Sequence, residues 1–437
     1  MTNKENYVGI RIEDKYLMEK RVAITPEHLK KLTNEGNLKF VVAPSEKRIF
    51  TDTDFKKAGA ELNSDLTKCN TIFGVKEMPH TFFENEKTYI FFSHVIKGQD
   101  YNMPVLKEMM NKNINLIDYE KIANEEGKRL IFFGRYAGFA GMINSLWTLG
   151  LRLQSFGIET PFLKIKQCHK YNSLEEAKAA VKAVGDEIKE NGLDDSLAPF
   201  VTGFTGYGNV SKGAQEIYSL LPVKEITVEE FMNDEYDSKN NTILYKVVFK
   251  EKDLSKRTDG SKFELNDYYK NPKLYESKFN QYLPKLSLLM NCMYWSDEYP
   301  TIVTKEYLKK NYKTNNSKLV VIGDITCDIN GSIECTELGT LIEDPIFVYN
   351  HNNNTFERGY KGDGIQIMSV DILPSELPKD SSQTFSNALF PFVKDIVEAD
   401  YNETFENLKL PIEIKKALIL HKGKLTPDFK YLQEYLK

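Results

Sequence analysis

Two groups of residues in this sequence have the types and spacing for chemistry. The first lies in Gly203-Phe-Thr-Gly-Tyr-Gly-Asn-Val-Ser211. Its core, Gly206-x-Gly208-x-x-Ser211, has the spacing of a glycine-rich turn between a strand and a helix. The first glycine permits the tight turn and the second admits a pyrophosphate close to the backbone. The third position, usually Gly or Ala, carries a small Ser. A helix opening behind such a turn offers unpaired N–H groups and the positive end of its dipole. The plainer alternative is a tight strand–helix link that binds nothing. An acid for the ribose hydroxyls is expected about 20 residues further on. Position 227 is Thr, with Glu229 and Glu230 just beyond, a mixed signal for the charge at the ribose.

The second group lies in the first third of the chain. Lys76-Glu77 closes the apolar run 71–75, and His94 follows the run 88–92, with Lys97 and Gln99 behind it. Glu120 follows the run 114–117, Arg129 lies further on, and Glu19 and Arg21 precede a helix. These types suit one chemistry. Arginine binds carboxylates with two parallel hydrogen bonds. Histidine titrates near neutrality. A lysine of lowered pKa exchanges protons with an amine or imine. Each also has a structural reading: a solvated strand end, a hydrogen-bonded histidine, a surface arginine. Their common place at strand ends favours the chemical one.

The elements that must position them follow from the pattern. Strands are expected at 7–12, 39–42, 71–75, 88–92 and 114–117. Helices are expected from Pro26, from Asp52 and from Pro104. Such alternation implies a parallel sheet with helices on both faces, and ligands then bind at the carboxyl ends of the strands, where Lys76, His94 and Glu120 would meet. The apolar, small-residue run 139–156 reads as a long helix joining two domains, and 173–191 as an amphipathic helix. Strand 200–204, the glycine turn, helix 214–221 and strand 223–226 form a βαβ unit, with Gly213 and Ala214 keeping the helix close to the sheet. Segments 286–295 and 319–325 read as strands or buried helix ends, 349–355 as an Asn-rich loop, and 384–399 and 411–420 as helices. The polar stretch 255–282 reads as an excursion from the sheet. The expected fold is α/β, with two Rossmann-like domains of parallel strands and a cleft between them. Residues 1–138 with about 350–437 form the substrate domain, and 139–349 the dinucleotide domain.

Composition narrows the function. The chain has 437 residues, 41% of them hydrophobic, and a net charge of −5. That length suits about two or three domains. An acidic balance with no basic stripe disfavours nucleic acid. No apolar run is long enough for a membrane span. The polar start resembles neither a secretory signal nor a transit peptide. Five scattered cysteines with no CxxC pair suggest neither a disulfide framework nor a metal site, and fit the cytoplasm.

Several strings carry a family resemblance. Gly9-Ile-Arg-Ile-Glu-Asp-Lys15 and Glu19-Lys-Arg-Val-Ala-Ile-Thr-Pro26 resemble the opening of the alanine dehydrogenase/transhydrogenase-like superfamily. Gly74-Val-Lys-Glu-Met-Pro79, Phe91-Phe-Ser-His-Val-Ile-Lys97, Asp118-Tyr-Glu120, Phe133-Gly-Arg-Tyr-Ala-Gly-Phe-Ala-Gly141 and Thr205-Gly-Tyr-Gly-Asn-Val-Ser-Lys-Gly-Ala-Gln215 narrow it. Together they are similar to lysine–2-oxoglutarate reductase, a saccharopine dehydrogenase found in bifunctional aminoadipic semialdehyde synthase as its amino-terminal half. The likeness continues through Lys256-Arg-Thr-Asp-Gly260, Asn291-Cys-Met-Tyr-Trp295, Asp324-Ile-Thr-Cys-Asp328 and Gly331-Ser-Ile-Glu-Cys335.

The resemblance implies reductive condensation of lysine with 2-oxoglutarate to saccharopine. It implies Lys76 and His94 as acid–base groups tuned by Glu77 and Glu120. Arg21, Arg129, Gln99 and Phe133 would be substrate contacts. Gly206, Gly208, Asn209, Val210 and Ser211 would hold the cofactor, with Val248, Asn291, Cys292 and Asp324 lining the rest. NADP(H) is favoured, with NAD(H) as the alternative, since Thr227 replaces an expected acid. Lys128 departs from a second Arg in one branch. With no second dehydrogenase half after residue 437, a monofunctional chain is expected, and homo-oligomerisation is left open. The alternatives are NAD-linked saccharopine oxidation, an alanine-type amino-acid dehydrogenase, or a non-catalytic dinucleotide-binding module, which would need neither Lys76 nor His94.

Overall fold

The computed structural model describes residues 6–36, 38–312 and 317–436. The chain divides into two compact units, Met1–Phe133 with Pro378–Lys437, and Gly134–Leu377.

The first unit is built on an eight-stranded sheet. Its order is Lys424–Leu425, Leu418–His421, Asn115–Asp118, Thr88–Phe91, Thr71–Phe73, Asn6–Ile10, Leu38–Val42, Glu61–Leu62. Six neighbouring strands run parallel, whereas the 418–421 and 424–425 strands pair antiparallel at one edge. The central parallel strands are short apolar runs, Thr-Ile-Phe and Thr-Tyr-Ile-Phe among them, buried throughout, as a sheet covered on both faces requires. Helices Pro26–Gly36, Asp52–Lys57, Met103–Asn111, Pro378–Glu398 and Ile412–Ala417 belong to the same unit. A capping box between Thr51 and Asp54 starts the second of them, satisfying otherwise unpaired N–H groups at the helix start. Helix Pro378–Glu398 returns late in sequence to the first. Ser382 Oγ accepts from Val22 N at 3.0 Å, and Ser386 Oγ from Thr25 N at 3.0 Å.

The second unit has its own eight-stranded sheet, ordered Thr355–Arg358, Ile346–Asn350, Ile365–Met368, Val321–Asp324, Leu288–Asn291, Phe200–Thr205, Leu244–Phe249, Val223–Glu225. It is parallel except for the hairpin 346–358 at one edge. That hairpin moves the second crossover from the expected position near 350 to 377/378: its strands extend this sheet, and the run of asparagines is its turn. Segments 288–291 and 321–324 are strands: the first pairs in parallel with 200–205 and the second with the first.

Three further expectations are corrected. Helix Gly134–Ser155 starts at 134 and belongs wholly to the second unit, so residues 134–138 leave the first. Gly213 does not hold its helix to the sheet. A Cβ there would overlap the carbonyl of Arg135, and one at Gly138 the carbonyl of Val210, so the missing side chains let helices 134–155 and Asn209–Tyr218 touch backbone to backbone. The apolar run 411–420 splits into helix Ile412–Ala417 and strand Leu418–His421; short apolar runs fit either element by periodicity. The excursion 255–282 contains a two-stranded ribbon, Ser255–Arg257 with Tyr275–Ser277. Among the described residues no helix is long and apolar enough to cross a membrane, and no three metal-ligating side chains converge.

Candidate active site

In the first unit the parallel strands release their carboxyl ends along one edge, which gathers the segments 11–21, 74–77, 92–99 and 119–129. Two charged assemblies form there. In the first, Glu77 Oε1 accepts from His94 Nδ1 at 2.6 Å and from Lys15 Nζ at 2.8 Å. Burial pushes the Glu77 carboxyl up, but the hydrogen bond and charge of His94 and those of Lys15 outweigh it and hold it at about 2. With Nδ1 donating to that anion, Nε2 is the histidine nitrogen left to exchange a proton with a substrate. Lys76 Nζ lies 5.5 Å from the centre of the Tyr16 ring.

In the second assembly, Arg21 meets Glu19 with Nε to Oε1 at 2.8 Å and Nη2 to Oε2 at 2.6 Å. Both side chains are buried. Burial raises the Glu19 carboxyl, and the charge and hydrogen bonds of Arg21, helped by Lys76, more than reverse this. The Arg21 guanidinium lies 4.2 Å from the centre of the Phe133 ring. Phe133 in turn stacks at 4.4 Å and 9° on Phe385 of the returning helix. Phe133 is therefore a platform for Arg21 in this structure, 8% exposed. Arg129 donates Nε to the Ile131 carbonyl at 2.9 Å, and its Nη1 stands 3.9 Å from Glu120 Oε1. Burial lowers the pKa of Arg129, against the pull of Glu120 and Asp118.

Phe92 joins the two assemblies. Its ring centre is 6.3 Å from His94, 5.2 Å from the Arg129 guanidinium carbon and 6.1 Å from Phe133. Lys76, Glu77, His94, Arg21, Arg129, Glu120 and Phe133 thus share one edge. Gln99 stands apart: exposed, with the Tyr101 hydroxyl on its Oε1 at 3.0 Å. Asp118 ties the edge together from below. Ser93 N at 3.0 Å and Ser93 Oγ reach its Oδ2, and Glu120 N reaches Oδ1 at 2.8 Å. Lys15, Glu13 and Phe385 are partners that the motifs did not single out. The first two stand just past a strand end, the same signal that found Lys76.

In the second unit, strand Phe200–Thr205 ends at Gly206, whose φ is +77°. A side chain there would be strained and would also meet Met293 Cα at 3.2 Å. Helix Asn209–Tyr218 opens directly after Gly208, earlier than expected, with no side-chain cap. Gly208 and Asn209 are exposed and Val210 half-buried, whereas Ser211 is buried with its Oγ accepting from Gln215 Nε2 at 2.8 Å. An uncapped helix start behind a left-handed glycine fits a pyrophosphate. Beside the turn lies a cleft of about 840 Å³ lined by Tyr207, Lys212, Thr227, Val248, Lys250 and Lys278 among others. Thr227 is the cap of helix Val228–Met232: Glu230 N donates to its Oγ1 at 3.1 Å, and Glu230 Oε2 accepts from Thr227 N at 2.6 Å.

Asn291, Cys292 and Asp324 lie under the turn instead of lining an open surface. Asn291 Nδ2 donates to Asp324 Oδ1 and to Ser332 Oγ, each at 2.8 Å, and Thr205 Oγ1 donates to Asn291 Oδ1 at 2.8 Å. Thr336 Oγ1 donates to Asp324 Oδ2 at 2.6 Å, and Cys292 N to Thr205 Oγ1 at 3.0 Å. This network fastens the ends of three adjacent strands. Burial pushes Asp324 up to about 6 despite the hydrogen bonds from Thr336, Asn291 and Cys327.

Comparison with known proteins adds three results. The family model described as alanine dehydrogenase/PNT, N-terminal domain, matches residues 9–140, and the model of the C-terminal domain of the same family matches residues 273–428. Alpha-aminoadipic semialdehyde synthase of Arabidopsis thaliana is 39% identical over 98% of this chain and 41% of its own length. The mitochondrial alpha-aminoadipic semialdehyde synthase of Bos taurus is 34% identical over 98% of this chain and 47% of its own length. The chain therefore spans less than half the length of these two relatives. A solved L-alanine dehydrogenase shares the fold, with a TM-score of 0.58 and 15% identity over 99% of this chain and 100% of that one.

Proposed function

The chain belongs to the alanine dehydrogenase/PNT family, and from that premise we propose that it catalyses the NADPH-dependent condensation of L-lysine with 2-oxoglutarate to saccharopine, a reversible step of lysine degradation. The observation that carries this reading is the edge of the first unit. It sets a proton-exchanging pair, Lys76 with the His94–Glu77 couple, beside two arginines suited to an acid with two carboxylates.

The lysine ε-amine adds to the keto carbon, water leaves, and the resulting imine is reduced to a secondary amine. The dinucleotide, held at Gly206, Gly208, Asn209 and Val210, supplies the hydride when bound. Lys76 and His94 move the protons: one leaves the attacking amine, and one joins the departing hydroxyl. Each such group contributes roughly 10²–10⁴-fold. Glu77, ionised across the neutral range, orients His94 through Nδ1. Glu19 holds Arg21 by Nε and Nη2, which leaves the Nη1 side for a substrate carboxylate. Arg129 serves a second carboxylate, with Glu120 beside it. Phe133 acts through Arg21, and Asn291, Cys292 and Asp324 act by shaping the turn. Ser211 sets the first helical turn, and Val248 lines the cleft next to it.

The ribose end favours NADPH in our reading. Thr227 caps a helix where an acid would repel a phosphate, Glu225 is paired with Lys246 at 2.6 Å, and Lys212, Lys250, Lys252 and Lys278 line the cleft. Glu225 and Glu229 line the same cleft, which supports the second reading, NAD-linked oxidation of saccharopine. Five free thiols suit a reducing compartment, the cytoplasm in this proposal, although the name of the Bos taurus relative places that protein in mitochondria. The test is absorbance at the nicotinamide band, with NADPH or NADH offered lysine plus 2-oxoglutarate, or pyruvate plus ammonia. Consumption of NADPH with the first pair is expected. Consumption only with pyruvate and ammonia makes the chain an alanine-type dehydrogenase, and none with either pair leaves a binding module.

A further inference from the structure

We infer that Glu13 is a positioning residue for Lys76 and Glu77, clamping the backbone on which both stand. This role rests on the functional reading above and extends it to a residue that touches no substrate in that reading. Strands Asn6–Ile10 and Thr71–Phe73 pair in parallel, and their ladder ends where Arg11 N donates to the Phe73 carbonyl at 3.1 Å. Beyond that point the first strand has turned away, and the N–H groups of Val75 and Lys76 no longer face a neighbouring strand. The Glu13 carboxylate takes the strand's place. Its Oε1 accepts from Val75 N at 2.7 Å and its Oε2 from Lys76 N at 2.9 Å. On the other side, the Val75 carbonyl accepts from Phe92 N at 3.0 Å, and Gly74 N donates to Ile90 O at 3.0 Å. The Lys76-Glu77 segment is therefore gripped from both sides, and the grip on the far side is the chain that leads two residues later into His94.

Glu13 is 7% exposed, so this is an ionisable hydrogen-bonding group placed in the interior. Charge-assisted bonds are roughly twice as strong as neutral ones, and a buried carboxylate needs such partners. Its other neighbours are charged as well. Burial, reinforced by Glu19, raises the Glu13 carboxyl against the pull of the Arg11 guanidinium and the two backbone N–H groups, and Arg11 is itself buried, paired to Asp14 at 2.6 Å. One loop, 11–21, thus supplies both braces of the edge: Glu13 fixes the lysine by its backbone, and Glu19 fixes Arg21 by its side chain.

Glu13→Gln tests this directly. The amide keeps one acceptor oxygen but turns an NH₂ toward an N–H, so one of the two bonds becomes a clash of donors. Glu13→Asp keeps both oxygens on a shorter arm. Each full-length variant is assayed with NADPH, lysine and 2-oxoglutarate, and NADPH affinity is read separately by fluorescence titration. The expected result is a kcat lower by about 10–100-fold in Glu13→Gln, partial recovery in Glu13→Asp, and NADPH affinity within twofold of wild type in both. A wild-type kcat in Glu13→Gln overturns the role, and so does NADPH affinity falling in step with kcat. Failure of both variants to fold also overturns it, by making Glu13 purely structural. Wild-type protein inactive with these substrates defeats the functional reading, and this role with it. Active wild type beside an unimpaired Glu13→Gln defeats the role alone.

Discussion

The carboxyl edges of the two sheets are made of different material. Both units end a row of short parallel strands on one side, the central ones fully buried. At the first edge the exits carry charged side chains that meet in the interior or at its rim: Glu77 with His94 and Lys15, Glu19 with Arg21, Glu120 with Arg129. At the second edge the exit is bare backbone, Gly206 and Gly208 before an uncapped helix. Its acid, Asp324, is sunk beneath and tied to neutral partners. Two carboxylates make the contrast measurable. Glu77, among cations, is held at about 2, whereas Asp324, buried among hydroxyls and amides, is pushed up to about 6. Proton transfer and carboxylate binding call for side chains with tuned charge, and a pyrophosphate calls for backbone that can be approached. The same strand–helix alternation supports both, and the residues at the exits decide which.

That division can be broken from either side. The largest effect belongs to the charged edge: Lys76→Met and His94→Gln are each expected to lower kcat by roughly 10²–10⁴-fold while NADPH binds as in wild type. Steady-state rates beside a nucleotide titration separate the two. Loss of NADPH affinity in step with rate would merge the edges that the structure keeps distinct. Next, Arg21→Lys loses the two-point grip of Glu19 and the flat stacking on Phe133. KM for 2-oxoglutarate should rise about 10–100-fold, against truncations that expose a buried charge at 2–5 kcal/mol, with little change for NADPH. At the bare edge, Gly206→Ala must hold a left-handed backbone at about 1–2 kcal/mol. NADPH affinity should fall roughly 5–30-fold, with kcat at saturating NADPH nearly preserved.

The smallest effects are on stability, and they have opposite signs. Glu77 titrates lower in the folded chain than its ordinary 4.5. Its contribution is present above pH 4.5 and is lost as pH falls toward 2. Asp324 titrates higher than its ordinary 3.8. The folded chain then holds a proton that the unfolded chain releases, and stability declines as pH rises from 3.8 through 6. Each slope is at most about 1.4 kcal/mol per pH unit. Denaturation midpoints between pH 3 and 8 should show Asp324→Asn losing less stability than wild type on the way to pH 6, and Glu77→Gln losing less than wild type below pH 4.5. Equal slopes in wild type and variants would contradict the two environments.

Much of this was legible beforehand where one rule did the placing. Parallel strands put their carboxyl ends together, so Lys76, His94 and Glu120 could be assigned to one edge from strand boundaries alone. The glycine turn was legible because its spacing has a direct backbone meaning. Depth was not legible. Asn291 and Asp324 end their strands in register with Thr205 beside the turn, and only the packed sheet shows them pointing into one buried network. Thr227 was weighed for charge, although Thr227-x-x-Glu230 also spells a capping box, which is what the chain forms. Phe385 could not be foreseen beside Phe133, because the contact depends on a helix that returns from the far end of the sequence. Gln99 followed a motif onto an exposed turn. Strand 418–421 hid in a short apolar run behind Lys415 and Lys416, where periodicity does not separate strand from helix.

The central claim is that the charged edge joins an amine to a 2-oxoacid, and the product tests it most directly. Wild-type chain, NADPH, lysine and 2-oxoglutarate are incubated together and analysed by mass spectrometry. The expected result is a new compound with the mass of lysine plus 2-oxoglutarate, less one water and plus two hydrogens, which is absent when His94→Gln replaces wild type. NADPH oxidation without that compound, or the compound formed equally by His94→Gln, would contradict it.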